Sequence, residues 1–111
     1  MKNLLVVDID DTIASMKDHW KPIYFSKKYL DKFKELKVKI AYLSGRPFIM
    51  LLYTHSWIHY NQFPQGGPIY HKWNIFEKNV FYKSKVLLKL KKSYNIIGMI
   101  GNADTDMKAA E

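Results

Sequence analysis

The stretch LLVVDIDDTIAS, from Leu4 to Ser15, contains the pattern that decides the fold of this chain. It begins with four successive apolar residues and then places three aspartates within four positions. A short apolar run without alternation is typical of a strand buried on both faces, as strands are in a parallel sheet. The sequence therefore predicts a buried parallel strand over residues 4–8, with acidic residues at its end and directly after it.

The rest of the chain alternates between helical and strand patterns. Helices are predicted over residues 28–37, after Pro47 through FIMLLYTHSWIHY, near 82–92 and within DTDMKAAE; strands are predicted over 38–43, where Ser44 and Gly45 end the strand, 69–70 and 96–100. Strands that alternate with helices imply a parallel sheet with right-handed crossovers. We therefore expect an α/β fold whose ligands bind beyond the carboxyl ends of the strands.

The acidic residues indicate a metal site. Asp8 and Asp10 lie two residues apart, so an extended chain directs both carboxylates to one side. They would repel one another unless a cation lay between them, and Mg²⁺ is the hard ion that such oxygens favour. Asn102 and Asp106, after the strand at 96–100, offer further oxygen ligands. Asp104 is interpreted as an acid at a helix start.

Two further groups suit a phosphate. Ser44 and Gly45, followed by Arg46, offer a hydroxyl, backbone N–H groups and a guanidinium, all of which bind anions. An ion pair with an acid near the C terminus is the alternative for Arg46. Lys83 shares the apolar face of its predicted helix, whereas Lys85 shares a face with other lysines. Lys83 is therefore the better candidate to reach the strand ends.

Softer metals are not favoured by this composition. The chain has no cysteine. His55 and His59 are four residues apart on one predicted helix face, a spacing that Zn²⁺ could use, but no third ligand is evident nearby. We expect these two residues and His71 to be surface or packing histidines.

Four segments together resemble the motifs of the haloacid dehalogenase (HAD) superfamily. VVDIDDTI resembles the first motif, DxDxT or DxDxV, and IAYLSGR resembles the second, an apolar strand that ends in Ser or Thr. Lys83 fits the third motif, and IIGMIGNADTD fits the acidic fourth. They come in the family's order and cover the chain from Leu4 to Ala110. The resemblance implies a Rossmann-like three-layer sandwich with a central parallel sheet. The chain length predicts a single domain over 1–111, and the short spacers between the motifs predict that it carries no cap.

The resemblance also implies a role for each motif residue. Asp8 would be the nucleophile and Asp10 the general acid and base, with charge neutralised by Lys83. Thr12 and Ser44 would orient the site and the phosphate. The Mg²⁺ ligands would be the Asp8 carboxylate, the Asp10 backbone carbonyl and the fourth motif. That motif has Asn102 where most members have Asp, so a lower metal affinity is expected.

The function expected from these residues is Mg²⁺-dependent hydrolysis of a phosphomonoester through an aspartyl-phosphate. About 31 residues separate Thr12 from Ser44, and about 38 separate Ser44 from Lys83. The predicted elements use most of both spacers, so we expect an open site that admits a large or exposed phosphorylated substrate. The alternative is a non-catalytic module of the same fold that binds nucleic acid or anionic lipid. A phospho-receiver domain is disfavoured, because the order of its acceptor and lysine differs.

Short segments resemble particular branches of the superfamily. The GN of the fourth motif and FPQGGP resemble lipin-type phosphatidate phosphatases, whereas DIDDT with SGR resembles the phosphatase half of polynucleotide kinase-phosphatases.

Composition narrows the class of protein and its partners. The formal net charge is +8, which favours anionic partners such as nucleic acid or acidic membranes, although scattered lysines also describe a solvated surface. The sequence predicts no transmembrane segment, and we expect a cytoplasmic protein. The last predicted helix is cut by Glu111, so either the sheet ends there or the chain is shortened. An uncovered sheet edge would offer a contact for a homo-oligomer.

Overall fold

The structure, a computed structural model, describes residues 1–15, 17–72 and 79–101, with side chains described in these ranges except at 46–48, 72 and 79–81. Its strands are β1 (Lys2–Asp8), β2 (Ala14–Ser15), β3 (Lys21–Pro22), β4 (Lys39–Pro47), β5 (Gly66–Lys72) and β6 (Tyr94–Ile100). Its helices are α1 (Tyr24–Glu35), α2 (Leu51–Tyr60), which follows a 3-10 turn at Phe48–Met50, and α3 (Asn79–Leu90).

Four strands form one sheet in the order β5-β4-β1-β6, and every pairing within it is parallel. β1 lies inside this sheet. Its residues from Leu4 to Asp8 pair with β4 on one edge, and its other edge pairs with β6. All five of these residues are buried, as expected for a strand that is covered on both faces. The parallel sheet and the buried first strand predicted from the sequence are confirmed.

Helices pack on both faces of the sheet. One core layer joins one face to α1 and α2; its buried members include Leu5, Val7, Ile40, Tyr42, Leu30 and Ile58. The other joins the opposite face to α3; its members include Leu4, Val6, Ala41, Leu43, Val86, Leu87 and Leu90. Alternate residues of β1 and β4 thus face opposite layers, which is the period of a strand. The three-layer α/β sandwich is confirmed.

Several boundaries differ from the sequence prediction. β4 continues through Ser44 and Gly45 to Pro47, because Pro47 still pairs with Lys72 of β5. Pro47 therefore does not open the following helix, and α2 begins only at Leu51. α1 begins at Tyr24, four residues before the predicted start. The helix predicted within 104–111 falls outside the described residues.

A small antiparallel hairpin of β2 and β3 follows β1, and it was not predicted from the sequence. It pairs Ala14 with Pro22 and Ser15 with Lys21. The hairpin is held against α2, because the Trp57 indole Nε1 donates to the backbone carbonyl of Trp20 at 2.9 Å. Strands of two residues carry no recognisable period, so nothing in the sequence pattern announces them.

The start of β5 passes very close to its neighbours. A Cβ atom at Gly67 would lie 2.7 Å from the carbonyl oxygen of Ile40 and 2.9 Å from the side chain of Leu4. Only a residue without a side chain allows this approach. Gly67 of the FPQGGP segment therefore permits the close packing of β5 on its neighbours.

Among the helices of the described chain, none has both the length and the apolar character needed to cross a bilayer.

A buried tyrosine gives a test of the core. The Tyr42 hydroxyl donates to the carbonyl of Pro64 at 2.6 Å, and burial raises the pKa of Tyr42 well above its ordinary value of 10. The phenol therefore stays protonated and able to donate. Replacing it by Phe leaves a buried carbonyl without this donor, so we expect Tyr42→Phe to lower the free energy of unfolding by about 1–2 kcal/mol.

Urea denaturation followed by circular dichroism measures this change. The matched control is Tyr60→Phe, at an exposed tyrosine of α2, which should leave the unfolding midpoint unchanged. Equal stability of the Tyr42→Phe protein and the wild type would contradict the role given to this hydrogen bond.

Candidate functional site

The carboxyl edge of the sheet brings the first two motifs together. β1 ends at Asp8, which pairs with Leu43 of β4, so Ser44 follows directly beside it. β6 reaches the same edge on the other side of β1, with Ile100 paired to Val7. This edge is where open α/β sheets bind ligands.

Asp8 forms a buried ion pair with Lys83. The Lys83 Nζ atom donates to Asp8 Oδ1 at 3.2 Å, across 75 positions of sequence. Only 6 % of Asp8 and 3 % of Lys83 are exposed. Lys85, by contrast, is exposed on the same helix. The structure thus places Lys83, and not Lys85, against the end of β1.

The surroundings of Asp8 raise the pKa of its carboxyl group. Burial is the main cause that raises the pKa of the Asp8 carboxyl above 3.8, and the Asp10 carboxylate acts in the same direction. Lys83 and the backbone N–H of Ile9 lower this pKa, but they do not overcome the loss of solvation. A further positive charge at this carboxyl would therefore stabilise its ionised form.

The loop after β1 is wound around one backbone carbonyl. The oxygen of Ile9 accepts the N–H groups of Thr12, Ile13 and Ala14 at 3.2, 3.0 and 3.1 Å. The turn needs a left-handed residue, and Asp11 supplies it with φ of 60° while its side chain is exposed. Aspartate tolerates this conformation better than most residues. Asp11 is therefore an exposed turn residue.

Asp10 and Thr12, which flank Asp11 in this loop, have distinct surroundings. Asp10 is half-buried and pairs with Ala14 through an isolated bridge. Thr12 is 8 % exposed, and within the described ranges its Oγ1 atom has no hydrogen-bond partner. Buried hydroxyls are rarely left so, and a ligand oxygen is one way to satisfy them. Its backbone carbonyl accepts the Ser26 hydroxyl at 2.6 Å, which fixes the loop to α1.

The predicted phosphate residues lie in an irregular part of β4. Leu43 pairs with Tyr70 of β5 and Pro47 with Lys72, so three residues of β4 stand opposite one residue of β5. We call this segment the 44–46 bulge. Ser44 is fully buried within it and Gly45 is half-buried. For Arg46 the structure describes the backbone alone.

The predicted metal ligands are described only in part. Asn102 and Asp106, like Asp104, lie outside the described residues. Within residues 1–15, 17–72 and 79–101, no cluster of three or more His, Asp or Glu side chains could hold a metal ion. Asp8 and Asp10 supply carboxylate oxygens at this edge, whose chemistry fits a hard cation such as Mg²⁺.

One buried residue near the site, His71, was expected from the sequence only as a surface or packing histidine, without a role at the site. His71 is the β5 residue that stands opposite the 44–46 bulge, and it is 4 % exposed. Its Nε2 atom lies 2.9 Å from the Thr54 hydroxyl of α2. The alternation of side chains along β5 was the available signal. Because His71 and Tyr70 are adjacent in the strand, their side chains point to opposite faces of the sheet.

Solved structures share this fold. The structure described as "Pnkp1/Rnl/Hen1 RNA repair complex" matches with a TM-score of 0.85 and 16 % identity, over 98 % of this chain and 39 % of that chain. A second, "Structure of Pnkp1/Rnl/Hen1 complex", gives 0.87 and 15 %, over 96 % and 41 %. The chain thus spans about two-fifths of the length of those chains. At such identities the likeness concerns the fold.

The sequence of this chain matches the model of one protein family. No curated protein matches the chain. The family model described as "PITM 1-3, LNS2 domain" matches residues 5–111, which is nearly the whole sequence. Together with the shared fold, this match confirms the HAD-like assignment made from the motifs. The chain therefore belongs to the LNS2 domain family.

Proposed function

We propose that this protein is a Mg²⁺-dependent phosphomonoester hydrolase that works through an aspartyl-phosphate on Asp8. The observation that carries the proposal is the buried contact of Lys83 with Asp8 at the carboxyl edge of the sheet. A buried pair of this kind is weak evidence for stability, since its desolvation offsets its attraction. Its place at the ligand-binding edge of the sheet favours a chemical role.

The reaction takes place in two steps. A carboxylate oxygen of Asp8 attacks phosphorus and the bond from phosphorus to the leaving oxygen breaks, while Asp10 gives that oxygen a proton. Asp10 then takes a proton from a water molecule, whose oxygen attacks phosphorus; the bond between phosphorus and the Asp8 oxygen breaks and inorganic phosphate is released. Asp8 returns to its carboxylate form and Asp10 to its acid form. Lys83 holds positive charge beside the nucleophile in both steps.

The metal would be held by oxygens that this sequence supplies. They are the Asp8 carboxylate, the Asp10 backbone carbonyl, Asn102 and Asp106. The desolvated Asp8 carboxyl supports this choice, because burial raises its pKa despite the nearby Lys83 ammonium and a cation at the carboxylate would act in the opposite direction. When bound, Mg²⁺ supplies charge neutralisation at the transferring phosphoryl group.

In this proposal the 44–46 bulge and Thr12 bind the phosphate. Ser44 and Gly45 offer a hydroxyl and backbone N–H groups, and Arg46 offers a planar pair of donors. The Thr12 hydroxyl, which has no partner in the described part of the chain, would donate to a phosphate oxygen. These groups hold the phosphoryl group in line with the attacking oxygen.

The substrate we propose is a phosphomonoester on a large or exposed molecule. Between β1 and β4 the described residues form the small hairpin and α1, which supports an open site without a cap. The net charge of +8 favours an anionic substrate. A phosphorylated nucleic acid end fits this charge, and one of the two similar structures is described as an RNA repair complex.

A non-catalytic binding module is the second candidate. Asn102 in place of an acidic ligand and the basic charge favour it. Under this alternative the protein binds nucleic acid or anionic lipid with strong salt dependence and hydrolyses no phosphoester. A screen of phosphorylated ends, lipids, nucleotides and sugars with Mg²⁺ separates the two candidates.

Removing the nucleophile tests the mechanism. Asp8→Asn should lower the rate of hydrolysis of an aryl phosphate by about three orders of magnitude or more, because the amide cannot form the aspartyl-phosphate. The matched control is Asp11→Asn, at the exposed turn residue of the same stretch, which should retain wild-type turnover. Undiminished turnover by a folded Asp8→Asn protein would overturn the mechanism.

Removing the lysine tests the ion pair. Lys83→Met leaves Asp8 buried without its cation, so we expect lower turnover and a loss of about 3–5 kcal/mol in the free energy of unfolding. Lys85→Met, on the exposed face of α3, should change neither quantity. The double variant Asp8→Asn/Lys83→Met removes both charges and should recover part of the stability, as a double-mutant cycle in urea would measure. Strict additivity of the two single changes would argue against the pair.

The Asp8 carboxyl also predicts a pH dependence. Its pKa in the folded protein is raised above the value of 3.8 taken for the unfolded chain, so folding favours the protonated form. Its contribution to stability is therefore full below pH 3.8 and is lost as the pH rises through the folded pKa. Without metal, the stability of Asp8→Asn relative to the wild type should increase over this window.

Chemical denaturation of both proteins across this pH range, with a chelator present, measures the difference. Adding Mg²⁺ at neutral pH should then stabilise the wild type and leave Asp8→Asn unchanged. An equal stabilisation of both proteins by Mg²⁺ would show that Mg²⁺ binding does not depend on Asp8.

A further inference from the structure

A buried chain of hydrogen bonds connects β5 to the segment that follows β4. His71 Nε2 and Thr54 Oγ1 lie 2.9 Å apart, and the Thr54 hydroxyl donates to the backbone carbonyl of Met50 at 3.0 Å. His71 is 4 % exposed and Thr54 is fully buried. Met50 is the last residue of the 3-10 turn and stands directly before α2.

The direction of these hydrogen bonds follows from counting protons. A threonine hydroxyl has one hydrogen, and here it is donated to the Met50 carbonyl. The contact with His71 must then run from Nε2–H to a lone pair of Thr54 Oγ1. His71 therefore carries a proton on Nε2, and each atom in the chain has a defined role.

The position of His71 in the sheet links these hydrogen bonds to the 44–46 bulge. Three residues of β4 form the 44–46 bulge opposite this single residue of β5. The ladder pairing of β1 with β4 ends at Leu43, one residue before the bulge begins. Bulges beside functional sites redirect side chains, and their geometry depends on what holds the strand on either side.

The chain of hydrogen bonds fixes the far side of the bulge. Pro47 pairs with Lys72, next to His71, and the Met50 carbonyl three residues later is anchored through Thr54. The path of the backbone after Arg46 is therefore tied to the same β5 residue that faces the bulge.

We propose that His71 is a positioning residue that acts through Thr54 and the Met50 carbonyl to hold the 44–46 bulge in its phosphate-binding conformation. This inference rests on the proposed function for the statement that the bulge receives phosphate. His71 itself takes no part in the chemistry, and its role is to keep Ser44, Gly45 and Arg46 in register with Asp8.

The test compares variants that keep or remove each hydrogen bond. Thr54→Val removes the hydroxyl at nearly constant volume, and Thr54→Ser retains it. His71→Leu removes the donor, and His71→Gln retains an N–H that can reach Thr54. His55→Ala, at an exposed histidine of α2, is the control for loss of an imidazole.

We expect Thr54→Val and His71→Leu to raise KM for an aryl phosphate by about tenfold or more, with a smaller change in kcat, because small displacements of binding groups are costly. Thr54→Ser, His71→Gln and His55→Ala should stay near the wild type. If the substitutions acted only through a general loss of stability, the conservative variants would not restore KM selectively. Equal KM values for Thr54→Val and Thr54→Ser would overturn the proposal.

A second readout does not require turnover. The backbone amide NMR signals of Ser44, Gly45 and Arg46 should move in Thr54→Val and His71→Leu and stay in place in Thr54→Ser. If the wild type neither hydrolyses the aryl phosphate nor binds inorganic phosphate, the proposed function fails. The positioning role is then decided by these signals, and unmoved signals in Thr54→Val overturn it.

Discussion

The arrangement of this site depends on one buried contact between opposite charges, Lys83 with Asp8. Both groups are removed from water, and burial still raises the pKa of the Asp8 carboxyl despite the nearby ammonium. Charges are buried at such a cost only where the surrounding elements fix them. The sheet fixes Asp8 at the end of an interior strand, and α3 fixes Lys83 through its packed apolar face.

Two periodicities meet at this contact. Asp8 falls in the same alternate series of β1 as Leu4 and Val6, which face α3. On α3, Lys83 precedes Val86 and Leu87 by three and four residues, so the face that packs on the sheet also carries the lysine. The ion pair is therefore a consequence of the packing that forms the core layer, and it could not shift by one residue on either element.

Much of the fold could be predicted because it depends on local patterns. The succession of sheet strands and helices along the chain follows from apolar runs and helical spacing. The choice of Lys83 over Lys85 follows from which face of the helix is apolar. The β2–β3 hairpin could not be predicted, because its two-residue strands have no period. The 44–46 bulge also escaped, because it is a property of the pairing between β4 and β5 and not of either strand alone.

The sequence by itself determined the succession of elements and the residues available at the strand ends, because those depend on neighbours a few positions apart. The tertiary structure alone decided that Asp8 is desolvated, that Lys83 reaches it across 75 positions, and that His71 stands opposite the bulge. Desolvation and strand register are set by elements that are distant in sequence and adjacent in space. The chemistry of the site is therefore readable from the sequence as a set of groups, and their environment only from the packed fold.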